Sequence, residues 1–93
     1  MGKVVDFKNR DRFIQLGITI STLRKLRGMS QEDLAVKANM SRTHLSNIEA
    51  PNTAYSFSMD TFFNIADALD VEPSDLLSAS MVPEKIINAK KPD

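Results

Sequence analysis

Five polar side chains that can exchange hydrogen bonds with a nucleic-acid base or phosphate lie within six consecutive residues, and none of them is acidic. They are Arg42, Thr43, His44, Ser46 and Asn47. Arginine can donate two parallel hydrogen bonds to guanine, asparagine can make two with adenine, and threonine can contact a thymine methyl group or a phosphate. A merely solvated helix face, which more often carries Glu and Lys, is the competing interpretation. The pattern favours a surface that contacts base edges.

Two short helices joined by a tight turn must position these side chains. Ser30 and Ser41 are good N-caps, and each stands directly before a helical pattern. Asn39 tolerates the left-handed conformation that a sharp turn needs, and Ala35 is small where the second helix must cross closely. The apolar residues fall at spacings that turn all of them inward: Leu34, Ala38, Met40, Leu45 and Ile48. These features predict a helix-turn-helix over residues 31–49, whose second helix lies in the major groove of DNA.

The segment before this pair is also helical in its period. Over residues 11–27 the apolar residues recur every three or four positions, at Phe13, Leu16, Ile20 and Leu23. The β-branched run from Ile18 to Ile20 would suit a strand, but the period of its flanks favours a helix. Gly28 follows as a C-cap residue.

Two more helices are predicted after a loop over residues 50–57. Ser58 is the N-cap of the first of them, whose apolar residues are Met59, Phe62, Phe63, Ala66 and Leu69. Pro73 fits the first position of the second helix, and Leu76 and Leu77 are its expected anchors. Phe57, Phe62 and Phe63 are expected in the core rather than in a platform for base stacking, because their spacing is that of a buried helix.

Charge is balanced in total but polarised along the chain. The 93 residues include 12 basic and 12 acidic side chains, yet residues 1–28 carry a net charge of +5 and residues 51–80 carry −5. The basic end can face phosphates, provided that Arg10, Lys25 and Arg27 share a face with the predicted second helix. The acidic stretch is expected to be a solvated face. The balance predicts modest non-specific affinity for DNA and a weaker salt dependence than that of strongly basic binders.

Several other classes of protein are excluded by the residues that they would need. The chain has no cysteine and a single histidine, so it cannot form a thiolate zinc site or a multi-histidine metal site. It also lacks a Gly-rich phosphate loop and a nucleophile paired with a base. We therefore expect no enzyme activity, no metal and no cofactor. No apolar run approaches the roughly 18 residues of a membrane span, so a cytoplasmic protein without a membrane partner is expected.

A set of runs, specific only in combination, resembles the phage-repressor type (Cro-like, xenobiotic-response-element) helix-turn-helix family. The runs are Leu23-Arg24, Gly28 to Ala35, Met40 to Glu49, Ile65 to Val71 and Leu76-Leu77, and the resemblance covers roughly residues 13–77. It implies an all-α fold, namely a compact five-helix repressor-like DNA-binding domain. It also implies a sequence-specific transcriptional regulator, a small repressor that acts as a homodimer on a palindromic operator in double-stranded DNA.

The same resemblance implies roles for individual residues. Gln31, which opens the second helix, would touch a DNA phosphate. The positions that read bases would be Arg42, Thr43, Ser46 and Asn47. Arg24 and Glu49 match a partly buried salt bridge that ties the first helix to the end of the third.

The chain also departs from the family pattern. Asn39 stands where the family usually has Gly, and the loop after Ala50 has no Lys or Arg, although relatives often hold phosphate there. Backbone amides together with Asn52, Thr53, Tyr55 and Ser56 would have to hold phosphate in that loop, and Ser41 and His44 are further candidates for contact with the DNA backbone. For His44, a packed surface histidine is the alternative.

Three segments follow from this interpretation. Residues 1–10 form a basic N-terminal arm or a solvated terminus, residues 11–78 form the DNA-binding domain, and residues 79–93 form a C-terminal tail or a dimerisation segment. Apolar residues that could pair two copies are Leu76, Leu77, Met81, Val82, Ile86 and Ile87. The competing function is a protein-interaction module, such as an antitoxin or a regulator's partner, with weak DNA binding. The uncharged loop and the acidic stretch speak for that alternative.

Overall fold

The computed structural model describes residues 5–81, which fold into five α-helices preceded by a 3-10 helix over Phe7–Asn9. The helices are α1 (Arg10–Leu26), α2 (Gln31–Lys37), α3 (Arg42–Glu49), α4 (Met59–Leu69) and α5 (Pro73–Ser80). No strand occurs among the described residues. The all-α, five-helix fold predicted from the sequence is confirmed, and the run from Ile18 to Ile20 is helical.

Serine side chains cap the N-termini of three helices, as predicted. The Oγ atoms of Ser30, Ser41 and Ser58 each accept a hydrogen bond from the backbone N–H three residues later, at 3.0 to 3.1 Å. At α2 the arrangement is reciprocal, because the backbone N–H of Ser30 donates to the carboxylate of Asp33 at 2.9 Å. That hydrogen bond lowers the pKa of Asp33. Each cap satisfies a donor that the first turn of a helix leaves unpaired.

Left-handed residues end three of the helices. Asn39, Gly28 and Asp70 have φ values of 56°, 73° and 60°. Gly28 and Asn39 were predicted for this role. After Asn39 the backbone N–H of Met40 returns to the carbonyl of Ala35 at 2.9 Å, which closes the tight turn between α2 and α3.

The core lies where α1 crosses α3 and α5 and where α4 packs against α2 and α5. Its buried apolar side chains are Leu16, Ile20, Leu34, Ala35, Ala38, Leu45, Ile48, Phe62, Ile65, Ala66, Leu69 and Leu76. Four of the five apolar residues predicted to face inward from the helix pair are among them, the exception being Met40. Phe13, Leu23, Met40 and Phe57 are partly buried and pack against this core.

Three residues predicted to be core or anchor positions are more exposed than expected. Met59 is 58% exposed, Phe63 is 44% exposed and Leu77 is 40% exposed. Met59 lies in the first turn of α4, at the edge of the core. Phe63 and Leu77 each follow a buried residue directly, so their side chains point about 100° away from the core face. In α4, Ile65 is buried where Phe63 was expected to be.

A glycine whose role the sequence analysis missed sets the distance between α1 and α3. Gly17 is buried in the middle of α1, and a Cβ atom at this position would overlap the backbone carbonyl oxygen of Ile48. The two helices therefore cross with the glycine of one against the main chain of the other. Glycine is normally unfavourable inside a helix, and here it permits the close approach that seats α3 on the core.

The structure places residues near both ends of the described chain differently from the predicted segments. Arg10, which was assigned to the arm, is the first residue of α1. At the other end Ser80 is fully buried and donates from Oγ to the Leu76 carbonyl at 2.6 Å. Residues 1–4 and 82–93 lie outside the described residues, and with them lie Val82, Ile86 and Ile87 of the predicted dimerisation segment. Within residues 5–81 no helix has the length and hydropathy of a membrane span.

Candidate nucleic-acid interface

Four predicted base-reading residues share one exposed face of α3. Arg42, Thr43, Ser46 and Asn47 are all exposed and together line a shallow depression. The opposite face of the helix carries Leu45 and Ile48, which are 0% and 2% exposed. The side chains that could read bases are thus free to contact a partner while the helix beneath them is fixed to the core.

A buried ion pair holds the end of α3 against α1. The guanidinium of Arg24 donates through Nε to Oε2 of Glu49 and through Nη2 to Oε1, both at 2.9 Å. Both residues are only 7% exposed. Arg24 also donates through Nη1 to the carbonyl of Met29 at 2.8 Å. The hydrogen bonds to Glu49 raise the pKa of Arg24. This is the salt bridge that the family resemblance implied, and it fixes α1, the turn after it and α3 relative to one another.

Gln31, the expected phosphate contact, is tied to the same carboxylate. Its Nε2 donates to Oε1 of Glu49 at 3.0 Å. A carboxylate only accepts hydrogen bonds, so this contact assigns the nitrogen side of the Gln31 amide to Glu49. The side chain at the start of α2 is therefore held in one orientation next to α3. The spacing of Gln31 and Glu49 along the sequence does not predict this contact.

His44 packs on Tyr55, and the pair fixes the loop over residues 50–57 against the start of α3. The two ring centroids are 5.6 Å apart and the rings meet edge to face, at 63°. Partial burial lowers the pKa of His44 below its ordinary value of 6.5. Asn52 is exposed at the turn of this loop, as is Ser41 at the start of α3. The packed position of His44 matches the alternative given for it above.

The lowered pKa of His44 predicts acid destabilisation. The unfolded chain binds a proton at His44 more tightly than the folded chain, so the free energy of unfolding should fall as the pH drops from 7.5 through about 6.5 and level off below the folded pKa. Urea denaturation of the wild type and of His44→Phe at a series of pH values measures this. The Phe variant should lose the part of the pH dependence centred there. An identical pH profile in both proteins would contradict the assignment.

Basic residues of α1 divide between different surfaces. Lys25 is exposed and lines an open groove together with Gln31 and Ser46, so it lies beside the recognition face. Arg27 instead donates through Nε to the carbonyl of Leu69 at 2.7 Å and joins α1 to the end of α4. Arg10 lies about 22 Å along the helix axis from Lys25. The expectation that Arg10, Lys25 and Arg27 share one face beside α3 holds for Lys25 and is wrong for Arg27, and Arg10 lies at the opposite end of α1 from Lys25.

Acidic residues gather on another part of the surface, around the turn between α4 and α5. All four carboxylates there are exposed and line one shallow depression: Asp67, Asp70, Glu72 and Asp75. Among residues 5–81 no three His, Asp or Glu side chains converge so as to hold a metal ion. The polarised charge seen in the sequence therefore separates into a groove containing Lys25 beside α3 and an acidic surface at the α4–α5 turn.

The fold and this arrangement define a helix-turn-helix protein, and the comparison with protein families agrees. The helix-turn-helix family model HTH_3 matches residues 20–76, so the chain belongs to that family. The resemblance inferred from the sequence is confirmed. No curated protein matches the chain.

Among solved structures, the protein is similar to restriction-modification controller proteins. C.AhdI from Aeromonas hydrophila is 30% identical with a TM-score of 0.63, covering 69% of this chain and 94% of its own. Wild-type C.Esp1396I is 27% identical with a TM-score of 0.68, covering 90% of this chain and 99% of its own. C.Esp1396I bound to a 25 base pair operator site is 28% identical with a TM-score of 0.68, covering 82% of this chain and 95% of its own.

Proposed function

We propose that the protein is a sequence-specific DNA-binding transcriptional regulator, a small repressor that acts as a homodimer on a palindromic operator. The observation that carries the proposal is the exposed face of α3, where Arg42, Thr43, Ser46 and Asn47 lie together above a helix anchored in the core. In this role the protein acts in the cytoplasm and carries out no catalytic step.

The proposed mechanism inserts α3 into the major groove. Arg42 offers two donors for the O6 and N7 atoms of guanine, and the amide of Asn47 can both donate to and accept from adenine. Thr43 and Ser46 add shorter contacts to base edges or methyl groups. The remaining assigned residues would hold the sugar-phosphate backbone and fix the register of α3 on the DNA. These backbone contacts carry no sequence information by themselves. The residues assigned to them are Gln31, Ser41, His44, Asn52 and Tyr55.

The structural neighbours support the choice of ligand. Solved structures contain C.Esp1396I bound to a 19 base pair DNA duplex and to a 25 base pair operator site. This chain belongs to the helix-turn-helix family, and its recognition helix α3 presents hydrogen-bonding side chains at the protein surface. A bound dimer would repress by covering a promoter, and its own concentration or a protein partner would control it.

Dimerisation is required by the modest charge of the domain. A single recognition helix offers few phosphate contacts, whereas two copies related by a two-fold axis can engage half-sites one helical turn, about 34 Å, apart. Sedimentation equilibrium should therefore show a reversible dimer at micromolar concentrations. A protein that stays monomeric at millimolar concentration would contradict this part of the proposal.

The proposal is tested by selection of bound sequences from a random duplex pool, followed by titration of the winning sequence at several salt concentrations. We expect a palindromic motif and a binding constant that decreases with salt, with a slope that counts the neutralised phosphates. A pool that shows no enriched sequence at moderate salt would contradict the proposal. Capture of a protein partner without any enrichment would instead favour an interaction module.

Replacing Arg42 with alanine should weaken binding to the selected operator by about 1–3 kcal/mol and relax the preference at one base pair in each half-site. The reason is the loss of a bidentate contact to a base edge. Competition titrations with operators that differ at single base pairs measure the effect. Lys37→Ala is the matched control, because it also removes one positive charge but lies with Met29 and Val36 on another surface. Equal losses in the two variants would show that Arg42 acts only through its charge.

A further inference from the structure

His44 is the single histidine of the chain, which contains no cysteine. Histidine is the side chain whose ordinary pKa places its change of charge between about pH 5 and 8. A change of side-chain charge in this pH range therefore centres on one residue in each copy of the protein. The position of that residue decides whether binding to DNA responds to pH.

His44 lies in the first turn of α3, at the edge of the face proposed to read bases. Its backbone N–H donates to Oγ of Ser41 at 3.0 Å, and the preceding residue, Thr43, is one of the candidate base readers. The imidazole ring meets Tyr55 edge to face, with 5.6 Å between the ring centroids, and is partly buried. The titratable ring is thus held in one place beside the recognition face and keeps some contact with solvent.

The surroundings of the ring in the free protein favour neutral imidazole. Burial lowers the pKa of His44 below its ordinary value of 6.5. The positive end of the α3 dipole, in whose first turn the residue lies, also disfavours a cation. Among residues 5–81, no carboxylate forms an ion pair with this ring.

The charged groups of α3 and of the adjoining loop do not offset this preference. The loop over residues 50–57 contains no charged side chain, and its titratable group is the phenol of Tyr55. On α3 the charged residues are Arg42, which is a further positive charge, and Glu49, which lies at the other end of the helix and is neutralised by Arg24.

The charged groups of α2 and α1 do not supply a free anion either. The end of α2 that leads into α3 carries Lys37, whereas Glu32 and Asp33 lie at its other end, where Gln31 meets Glu49. The first part of α1 reaches the loop through an edge-to-face aromatic contact. The exposed charged residues of that part are Arg10, Asp11 and Arg12, and the carboxylate of Asp11 lies 3.7 Å from Arg10. An anion that favours the charged imidazole must therefore come from a bound partner.

The DNA backbone provides such an anion. A recognition helix in the major groove lies between two sugar-phosphate strands, and an opposite charge within about 4–6 Å favours the charged form of a titratable group by about one to three pKa units. Loss of water on binding opposes this effect. Because His44 is already partly buried before DNA arrives, binding adds mainly the attraction.

We propose that each copy of the protein takes up one proton at His44 when it binds its operator, so that affinity for DNA rises as the pH falls from about 8 to about 6. The inference rests on the proposed function and adds regulation by pH to it. Its sign follows from linkage, since a group that holds its proton more tightly in the complex than in the free protein makes the complex more favourable at lower pH. The gain should level off below the pKa of the free protein.

The first test is titration of the selected operator with the wild type and with His44→Phe from pH 6 to pH 8 at fixed ionic strength, followed by fluorescence anisotropy. Affinity of the wild-type dimer should rise by about tenfold or more over this range, because one unit of pKa shift corresponds to a factor of about ten for each copy. His44→Phe keeps an aromatic ring against Tyr55 but cannot titrate, so its affinity should be nearly constant. The α-amino group also titrates near this range, and its contribution cancels because both proteins carry it.

The second test reads the proton directly and needs no variant. A chain with one histidine gives one set of imidazole signals in a proton NMR spectrum, and their titration yields one pKa for the free protein and one for the operator complex. We expect the first to lie below 6.5 and the second above it. A pKa that is unchanged or lower in the complex would overturn the inference.

Arg42→Ala is the matched control, because it removes a positive charge from the same end of α3 without removing the titratable group. It should bind more weakly than the wild type at every pH but keep the same pH dependence. If the wild type selects an operator and binds it with constant affinity from pH 6 to pH 8, the proposed function stands and proton uptake is wrong. If no operator is selected, both are wrong.

Discussion

Arg24→Met should lower the free energy of unfolding by about 3–5 kcal/mol, because it leaves the carboxylate of Glu49 buried without its charged partner. The ion pair is 7% exposed on both sides, and the guanidinium makes three hydrogen bonds at 2.8 to 2.9 Å. Methionine fills a similar volume but donates nothing, so the carbonyl of Met29 loses its side-chain donor as well. Urea denaturation followed by circular dichroism measures the change.

Lys25→Met is the matched control for this experiment. It places the same side chain one residue further along α1, at an exposed position, and should change the free energy of unfolding by no more than about 0.5 kcal/mol. The double variant Arg24→Met/Glu49→Leu should recover most of the stability lost in Arg24→Met, because it removes the unpaired charge. A loss in Arg24→Met no larger than that in Lys25→Met would mean that the ion pair is not what fixes α3 to α1.

Gly17→Ala should destabilise the fold by about 2 kcal/mol or more, although alanine favours an isolated helix over glycine by about 1 kcal/mol. The added Cβ atom would overlap the carbonyl oxygen of Ile48, which is main chain and cannot rotate away. Helices α1 and α3 must separate to accommodate it, so affinity for the selected operator should fall together with stability. Urea denaturation and operator titration of the same protein measure both effects.

Ser21→Ala serves as the control for the glycine experiment, since it makes a small change one turn later in the same helix. It should leave stability within about 0.5 kcal/mol of the wild type. If Gly17→Ala proved more stable than the wild type, helix propensity would dominate and the close crossing of α1 and α3 would not be a constraint.

Features that depend on neighbours in sequence were predictable. Ser30, Ser41 and Ser58 cap helices as expected, because an N-cap needs only a side-chain oxygen and the next three residues. The left-handed turn at Asn39 follows from its short polar side chain. The inward faces of α2 and α3 followed from helical spacing alone, and with them the exposed face that carries the candidate base-reading residues.

Features that depend on how the helices cross were not predictable from local pattern. Nothing near Gly17 in the sequence reveals the carbonyl of Ile48, which is 31 residues away. Arg27 looked like part of a basic face, but the end of α4 lies within reach of its guanidinium. Phe63 is one of the apolar residues of α4 that were expected in the core, but its side chain lies on the face of α4 that is turned toward solvent. In each case the outcome is set by the partner helix.

The candidate site shows the same division. The four residues on the exposed face of α3 were found from residue type and spacing, whereas the groove containing Lys25 and the hydrogen bond from Gln31 to Glu49 arise only when three helices are assembled. The signal available in the sequence was the position of Lys25 next to Arg24, which places its side chain on a neighbouring face of the same helix turn.

The most direct test of sequence-specific recognition by α3 is a pair of parallel selections from one random duplex pool, with the wild type and with Arg42→Ala/Asn47→Ala. Both substituted residues are exposed, so the variant should fold. The wild type should enrich a palindromic motif, and the variant should lose the preference at the base pairs that these two side chains contact while it keeps a measurable salt-dependent affinity. Recovery of the same motif by both proteins would contradict recognition of bases by this face.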